Sequence, residues 1–405
     1  MSRAGNQEIQ QTPDRKGGTQ ASWYSGWDLS DERRAYFRER SRKSHAAKLR
    51  ALSDERIEPI HPINTPTLDP AMLMPQVDAN GIASLSLFTG GGGLDLGFDR
   101  AGYAHVVSFD TLEAAGRTLL ANRPGWDVRS GAEGDVQGVD WRAWRGAVDV
   151  VHGGPPCQPF SVAGRQKGHA DERNMLPEFV RTVLAIKPSA FVAENVTALA
   201  GPKFADYLRK EFHDKLAGTY KISMFKLAAH EFGVPQVRRR VFMVGFRSAK
   251  AFSRFAAPTP THRADHLTGG PISLAAATAA PTPGARHALG LADIGFDALT
   301  PTLRSTLTGP RHTTSVLNSA SAQQTWFRLG IWPNGVAPTR EAAQNFVAEN
   351  GHFRLSVADC AVLQGFPADW QFDGAVYLAL GQLGNSVAPP VAYQVAKAVA
   401  QALVG

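Results

Sequence analysis

The sequence has little cysteine and no long apolar run. Its 405 residues include two cysteines, Cys157 and Cys360, which cannot form a disulfide framework and show no spacing typical of metal ligands. The polar N-terminus lacks the apolar core of a secretory signal, and no stretch approaches the ~18 apolar residues of a membrane-spanning helix. We therefore expect a cytoplasmic protein with no metal site and no membrane contact, in which a reactive thiol stays reduced.

The composition is otherwise that of an ordinary globular protein with an excess of positive charge. Hydrophobic residues make up 43% and charged residues 20% of the chain. The length favours about two to three domains with a sizeable core. A net charge of +7 and a pI near 9.5 make polyanions candidate partners, although many basic proteins bind no nucleic acid.

Cys157 lies in the stretch around which the chain is organised, VDVVHGGPPCQPFS at 148–161. The β-branched residues predict a buried strand, and the turn formers that follow predict a loop. Pro155 and Pro156 each fix φ and lack an N–H, so the loop would present the thiol rigidly, as a nucleophile requires. The alternative is a buried core cysteine, the commonest fate of a free thiol. Because its neighbours are loop residues, we interpret Cys157 as a candidate nucleophile.

A glycine-dense turn, TGGGGLDLGFDRAGY at 89–103, follows the first predicted strand, Ile82 to Phe88. Such turns let a backbone approach a ligand closely and aim helix N–H groups at it. Asp110 ends the next strand about 20 residues later, where doubly wound folds place a ribose-binding carboxylate. NAD enzymes use similar loops, so the turn alone does not identify the ligand. Asp135 offers another acid at a predicted strand end, either as a ligand or as a turn or helix-capping residue.

Two further motifs carry charged groups toward a predicted sheet edge. Glu194 follows the strand from Ser189 to Ala193, at the end where open α/β sheets bind ligands; a capping or salt-bridged role is the alternative. Arg238 and Arg240 share one side of an extended segment, because strand residues i and i+2 do so. A solvated basic edge strand would show the same pattern.

The N-terminal part of the chain differs in composition from the rest. Residues 1–20 are polar and predicted to be disordered. Ser30 to Arg56 predicts one charged helix whose basic residues either lie along DNA phosphates or face solvent. Pro59 to Pro75 predicts an extended linker.

Two polar stretches predict loops with functional roles. VAGRQKGHADERN at 162–174 has the length and glycine content of a mobile lid. Between Pro258 and Asn350 strands are hard to find, and Arg and His are mixed with hydroxyl residues, which suits phosphate and base-edge contacts. The candidates for DNA contact there are Arg304, Arg311, His312 and Thr313, and an ordinary surface loop remains open for each of them.

Taken together, GGPPCQPFS, ENV at 194–196 and QVRRR at 236–240 resemble the DNA (cytosine-5)-methyltransferases, in that family's order. FTGGGGLDLG is similar to the family's S-adenosylmethionine loop, and GNSV at 384–387 to its final block. The resemblance extends over about residues 83–246 and 353–404. It gives no support for the first 80 residues or for the region near 258–350.

The resemblance implies a reaction and a role for each site. Cys157 would add to C6 of a flipped-out cytosine in duplex DNA, with Glu194, Arg238 and Arg240 around the base, and S-adenosylmethionine would methylate C5, as in restriction–modification systems. The implied cofactor residues are Phe88, Thr89, Gly90, Gly92, Gly93, Leu94, Asp110, Thr111, Asp135, Val136, Pro156, Asn385 and Ser386. The implied DNA-binding residues outside the variable region are Ser161, Gln166 and Arg173.

The same resemblance implies the fold and the domain order. We expect an α/β, doubly wound, Rossmann-like methyltransferase domain with a mostly parallel sheet and helices on both faces, plus a smaller irregular target-recognition domain. The expected divisions are an N-terminal extension at 1–80, catalytic residues at 81–257 and 350–405, and the recognition domain at 258–349. A monomer acting on double-stranded DNA is expected.

Three residues depart from the family pattern. Asp110 stands where a glutamate is usual, which shortens its reach by one methylene group. FRLSVADCAVLQGFP at 353–367 resembles the family's block that supports the recognition domain. In it, Asp359 stands where a glutamate is usual and Ala358 where arginine is common, which puts the buried polar bracing of that block in doubt. The neighbouring Cys360 is predicted to be a core residue.

Other functions remain open at this point. A tRNA cytosine-5 methyltransferase would use the same scaffold, and the long variable region favours DNA over it. A non-catalytic DNA- or cofactor-binding subunit would not need Cys157, Glu194 and the arginines. An NAD-dependent oxidoreductase shares the glycine turn but leaves the Pro-Pro-Cys loop unexplained.

Overall fold

The computed structural model describes residues 62–156, 174–269, 279–304, 307, 313–317, 319–344 and 352–405, together with Ala35 and Glu39. Several residues singled out by the sequence therefore lie outside the described part of the chain. They are Cys157, Ser161, Gln166, Arg173, Arg311 and His312, with the predicted lid and almost all of the predicted N-terminal helix.

A seven-stranded sheet organises the described ranges. The strands of the chain are β1 (Ala83–Leu87), β2 (Ala104–Asp110), β3 (Val128–Ser130), β4 (Val150–Gly153), β5 (Ala190–Val196), β6 (Lys221–Ala228), β7 (Gln236–Val237), β8 (Arg239–Phe246), β9 (His262–Arg263), β10 (Ala280–Pro281), β11 (Thr300–Pro301), β12 (Ile331–Ala337) and β13 (Phe353–Ser356). The sheet order is β3-β2-β1-β4-β5-β8-β6. Strands β1 to β5 pair in parallel, whereas β8 runs antiparallel to both β5 and β6. The predicted α/β class with a mostly parallel sheet is confirmed.

The sheet separates two apolar layers, because alternate strand residues point to opposite faces. Val150 and Val192 belong to one buried cluster, and Val151 and Phe191 to the other. A sheet that is buried on both faces needs near-continuous apolar strands, which explains the runs that predicted it.

Helices cover both faces of the sheet. They are α1 (Gly93–Arg100), α2 (Glu113–Asn122), α3 (Leu176–Ile186), α4 (Ala205–Leu208), α5 (Asp214–Leu216), α6 (Ala249–Arg254), α7 (Asp265–Thr268), α8 (Ala285–Ala288), α9 (Ala320–Arg328), α10 (Arg340–Gln344), α11 (Val357–Gln364), α12 (Val376–Asn385) and α13 (Pro389–Val404). The sequence favours a helix over about residues 176–186 and another over 199–216. The first is α3, which has those bounds. The second is a series of short pieces, with a π turn at Arg209–His213 between α4 and α5. No helix among the described residues is long and apolar enough to cross a bilayer.

The segment at 59–75, predicted to be an extended linker, has a single short helical turn in its described part, but it is not an open connection. Residues 62–75 pack against the rest of the chain, and Pro70–Leu73 forms a 3₁₀ turn capped by Asp69, whose carboxylate accepts from the Ala71 amide at 2.9 Å. Met74 is fully buried in the core beside α13. The many prolines suggested an open chain, but they also suit an extended segment that lies on a surface.

The polar bracing around Asp359 is intact, which corrects the doubt raised by the sequence. Asp359 is fully buried and forms a capping box with Ser356 at the start of α11. Arg340 donates to its Oδ1 at 2.9 Å, and Asn64 donates to the same oxygen at 2.9 Å. Position 358 holds an alanine where the family usually has arginine, and the guanidinium is supplied instead by Arg340, 19 positions before Asp359. Cys360, predicted to be core, is fully buried.

Candidate active site

The strand register brings the predicted site residues to one edge of the sheet. Leu87 of β1 is paired with Phe109 on one side and with Gly153 on the other, and Gly153 is paired with Ala193. The next residue of each strand or loop therefore lies at the same carboxyl edge. In sheet order these residues are Asp110, Phe88, Gly154 and Glu194.

Glu194 and Arg240 form a buried ion pair at this edge. Arg240 Nε lies 2.8 Å from Glu194 Oε1, and the two side chains are 14% and 7% exposed. Strand β8 runs antiparallel to β5 and begins where β5 ends, so that Arg240 is opposite Val196. Burial raises the pKa of Glu194 above its ordinary value, and the positive charges of Arg240 and Arg238 oppose this change. The carboxyl group can therefore exist as a neutral acid at higher pH than an exposed glutamate.

Arg238 is also buried, but it is hydrogen-bonded to a different part of the chain. It is 2% exposed, and its Nη2 donates to the carbonyl oxygens of Gly384 at 3.0 Å and Ser386 at 2.5 Å. The exposed Arg239 between the two arginines points away, as the strand alternation predicted. Arg238 thus joins the arginine motif to the final GNSV block.

The loop before Cys157 is fixed beside Glu194. Asn195 Nδ2 donates to the Pro155 carbonyl oxygen at 3.0 Å, and both residues are buried. A Cβ atom on Gly154 would lie 2.9 Å from Glu194 Oε2, so this glycine leaves the space that the carboxylate occupies. The described chain stops at Pro156, one residue before Cys157.

Asp110 is hydrogen-bonded to the glycine turn. Its Oδ2 accepts from the Gly90 amide at 2.7 Å and its Oδ1 from the Leu112 amide at 2.8 Å. Burial raises the pKa of Asp110, and these two hydrogen bonds oppose the rise. Phe88, at the tip of β1, has a φ of +56°, a left-handed conformation that is strained for a bulky residue and often marks a functional turn.

The glycine turn packs directly against the GNSV block. A Cβ on Gly93 would lie 2.2 Å from the Val387 carbonyl oxygen, and one on Gly91 would lie 2.8 Å from Ser386 Oγ. Around Gly90, by contrast, a Cβ would meet no atom within 4 Å. Gly91 and Gly93 therefore allow the glycine turn to touch the GNSV block, whereas the side of the turn at Gly90 is open.

The remaining predicted cofactor residues also lie in the described part of the chain. Asp135 is not at a strand end, because β3 stops at Ser130; its exposed side chain accepts from the Gln137 amide at 3.0 Å and caps a 3₁₀ turn. A Cβ on Gly134 would lie 1.9 Å from the Asp110 carbonyl oxygen, so Asp135 is beside the end of β2. The other members are the buried Thr89, Leu94 and Val136, the partly buried Pro156, the exposed Thr111 and Asn385, and the buried Gly92 and Ser386.

Sequence reasoning missed three residues that support the site. Asp95 is 2% exposed and accepts from Thr89 Oγ1 at 2.5 Å and from Ser108 Oγ at 2.8 Å, which fixes the glycine turn to β2. Trp370 donates from its ring nitrogen to the Gly91 carbonyl oxygen at 3.1 Å. Gln364 donates to the Ser386 carbonyl oxygen at 2.8 Å and accepts from Gln236 at 2.9 Å. Asp95 was visible as an acid in the first turn of a helix, but the other contacts join distant parts of the chain.

Of the arginines predicted to contact DNA, Arg304 lies in the part of the chain that the structure describes. It is partly exposed, and its backbone amide donates to the Val316 carbonyl oxygen at 3.2 Å. Thr313 is also partly buried. Within the described ranges no group of three or more His, Cys, Asp or Glu side chains is placed to hold a metal ion.

Comparison with known families agrees with this geometry. Residues 82–276 and 302–401 match the model of the C-5 cytosine-specific DNA methylases. The chain belongs to this family. Methylation of cytosine C5 in DNA is therefore its activity, and DNA is its substrate.

Curated relatives in this methylase family extend over most of the chain. It is 34% identical over 322 residues to the type II methyltransferase M.NgoMIV of Neisseria gonorrhoeae, covering 79% of this chain and 97% of the relative. It is 31% identical over 349 residues to the type II methyltransferase M.FnuDI of Fusobacterium nucleatum, covering 79% and 94%.

A solved structure shares the methylase fold. It is a DNA modification methyltransferase encoded within a prophage, from E. coli, with a TM-score of 0.52 and 23% sequence identity. The alignment covers 80% of this chain and 100% of the solved one.

Proposed function

We propose that this methylase works through a covalent adduct between the Cys157 sulfur and C6 of a cytosine flipped out of duplex DNA. Carbon 5 of cytosine is a poor nucleophile, and addition of a thiolate at C6 converts the ring into an enamine whose C5 is nucleophilic. The observation that supports this most is the position of the Pro155 carbonyl, which Asn195 holds next to Glu194. The nucleophile loop and the acid are thus joined at one edge.

Glu194 is the proposed partner of the cytosine ring. Its raised pKa favours a carboxyl group that can donate to N3, and a second oxygen is available to the exocyclic amino group. Arg240 orients this carboxyl group through the 2.8 Å ion pair. In this proposal the positive charges of Arg240 and Arg238 favour the thiolate form of Cys157.

S-adenosylmethionine is the proposed methyl donor, and the residues at the edge fit it. Asp110 offers carboxylate oxygens to ribose hydroxyls, Phe88 offers an aromatic ring, and the space beside Gly90 is open. Asp135 lies beside Asp110 with an exposed carboxylate that can accept from an adenine amino group. When bound, the cofactor supplies an electrophilic methyl group on a sulfonium.

We also propose a monomer that serves as the protective methylase of a restriction–modification system, since the named relatives are type II methyltransferases. Ser161, Gln166, Arg173, Arg304, Arg311 and His312 are the proposed DNA contacts.

The experiment that tests this proposal replaces the nucleophile. Cys157→Ser should abolish transfer of a radiolabelled methyl group to duplex DNA and leave binding of S-adenosylhomocysteine, measured by calorimetry, unchanged. Cys360→Ala is the matched control, because the other cysteine is buried in the core and should not affect turnover. Methyl transfer by the Cys157 variant at the wild-type rate would remove this residue from its role.

A further inference from the structure

An N-terminal strap, defined as residues 62–81, contacts a part of the chain that also lies outside the family match. The match begins at residue 82, and its two segments leave residues 277–301 uncovered. The described part of that gap contains α8 and the turn after it, which we call the α8 segment, residues 284–301. Both pieces therefore lie outside the residues that match the family.

The first half of the strap is hydrogen-bonded along the α8 segment. The amides of Thr67 and Leu68 donate to the Ala288 carbonyl oxygen at 3.1 and 3.2 Å. Thr67 Oγ1 donates to the His287 carbonyl oxygen at 2.5 Å. A Cβ on Gly290, whose φ is +67°, would lie 1.9 Å from the Thr65 carbonyl oxygen, so the two backbones touch at that position.

Asn64 joins the strap to both neighbours. It is 8% exposed, and its Nδ2 donates to the Leu289 carbonyl oxygen at 3.0 Å and to Asp359 Oδ1 at 2.9 Å. Asp359 is in the catalytic block, at the position where the family usually has the longer glutamate. One buried amide therefore connects the α8 segment to α11.

The second half of the strap is hydrogen-bonded to the catalytic core. Tyr393 Oη donates to the Pro75 carbonyl oxygen at 2.8 Å, and the Val77 amide donates to Arg100 at 2.9 Å. Asn80 donates to the Ala101 carbonyl oxygen at 3.0 Å and accepts from the Ile82 amide at 2.8 Å. The strap is thus fixed to the core at one end and to the α8 segment at the other.

The α8 segment passes this restraint to the region proposed to read DNA. Arg286 is 8% exposed, and its Nη1 donates to Leu329 at the end of α9 at 2.6 Å. The segment then runs through β11, which pairs with β7, into Leu303 and Arg304. Because α8 belongs to that region, fixing α8 also restrains α9 and the segment that leads to Arg304.

We propose that the strap is a positioning element that holds the recognition region against the catalytic core, with Asn64 as its central contact. This inference rests on the proposed recognition role of residues 258–349. A preformed recognition surface does not have to be ordered when DNA binds, so the strap increases DNA affinity without touching the DNA.

The test compares two asparagines of the same strap. Asn64→Ala should raise KM for an unmethylated plasmid about tenfold, as the loss of a buried hydrogen-bonding group can, and should increase methylation at secondary sites seen by bisulfite sequencing. The dissociation constant of S-adenosylhomocysteine should stay at the wild-type value. Asn80→Ala, which loses contacts to the core alone, should leave KM for the plasmid unchanged. Thr67→Val, at an exposed position, removes the hydrogen bond to His287 and gives a milder second variant that tests the attachment of the strap to the α8 segment if Asn64→Ala does not fold.

Three outcomes would overturn the inference. One is a wild-type KM for the plasmid in both the Asn64 and Thr67 variants, and another is an equal rise in the Asn80 variant. The third is a parallel loss of S-adenosylhomocysteine affinity, which would make the strap a general structural element. Wild-type protein is assayed first: failure to transfer methyl groups to the plasmid would contradict the proposed function, whereas normal wild-type transfer with unaffected strap variants would contradict this inference alone.

Discussion

At the scale of single residues, Glu194 is the group whose surroundings most affect the chemistry. It is buried, which favours the neutral acid, and it is 2.8 Å from Arg240, which favours the carboxylate. Desolvation is the larger effect, so the pKa of Glu194 is raised. The stability that the folded protein gains from the protonated Glu194 carboxyl group is fully present below its ordinary pKa of 4.5. This stability is lost as the pH rises through the raised pKa of the folded state.

The balance between burial and charge can be shifted by one substitution. Arg240→Gln removes the nearest positive charge, so the pKa of Glu194 should rise further. If the neutral acid is the active form, the falling limb of kcat against pH should move to higher pH, while kcat at its maximum decreases. Measurement of kcat from pH 5 to 10 checks this.

Arg239→Gln is the control, because the exposed Arg239 points away from Glu194. It should leave the profile unchanged. A falling limb that stays in place in the Arg240 variant would show that another group sets it. Glu194→Gln should lower kcat by about 10²- to 10⁴-fold, the usual contribution of a general acid.

At the scale of elements, the glycine turn and the GNSV block behave as one unit. The turn leads into α1, and the block links α12 to α13. Gly91 and Gly93 let the two elements approach each other. Arg238 and Gln364 donate hydrogen bonds to Ser386 in the block, and Trp370 donates one to Gly91 in the turn. The arginine motif of the active site is thereby tied to the proposed cofactor site.

Gly93→Ala tests the close approach of these elements. The new Cβ would meet the Val387 carbonyl oxygen at 2.2 Å, and a backbone atom cannot rotate away. Overpacking should cost about 1–3 kcal/mol in the free energy of unfolding, despite the better helix propensity of alanine. Urea denaturation measures this, and affinity for S-adenosylhomocysteine should fall as well.

Gly125→Ala is a suitable comparison, since a Cβ there meets no atom within 4 Å. Its unfolding free energy should be close to that of the wild type. An unchanged stability in the Gly93 variant would mean that the turn and the block can separate without loss.

Gln364→Leu tests the buried amide between α11 and the GNSV block. The substitution keeps the volume but removes the bond to Ser386 and leaves Gln236 without its side-chain acceptor. We expect a loss of about 1–3 kcal/mol in stability, with weaker S-adenosylhomocysteine binding. Gln371→Leu, at an exposed position, should change stability by less than about 0.5 kcal/mol. Equal effects of the two substitutions would assign no special role to the buried glutamine.

At the scale of the whole molecule, the net charge of +7 suits a protein that binds a polyanion. Binding to DNA should weaken steeply with salt, because each phosphate contact releases counterions. The slope of log K against log salt concentration therefore reports how many positive side chains lie on the phosphates. Among the residues that the structure describes, Arg304 is the predicted phosphate contact, and it is partly exposed.

Arg304→Ala should weaken DNA binding and reduce the magnitude of that slope by about 1, measured by fluorescence anisotropy at several salt concentrations. Arg209→Ala is the control, because Arg209 is exposed and paired with Asp206 and Asp214. An unchanged slope in the Arg304 variant would place this arginine off the phosphate backbone.

The sequence by itself determined several strands and helices of the core and the acids at its edge. Alternation and apolar runs are local signals, so β1, β2 and α3 were predicted within a residue or two. Parallel topology then brings the ends of such strands together, which is why Asp110 and Glu194 could be assigned to one edge. The nucleophilic role of Cys157 and the roles of the predicted DNA contacts remain predictions.

The tertiary structure alone decided which distant groups meet. Arg240 pairs with Glu194, whereas Arg238 binds the GNSV block, although both stand in the same motif. Arg340 and Asn64 brace Asp359 from outside its own block, and the strap that looked like a linker packs along α8. These contacts depend on how buried polar groups find partners once the chain is folded, and no local pattern of residue types encodes that choice.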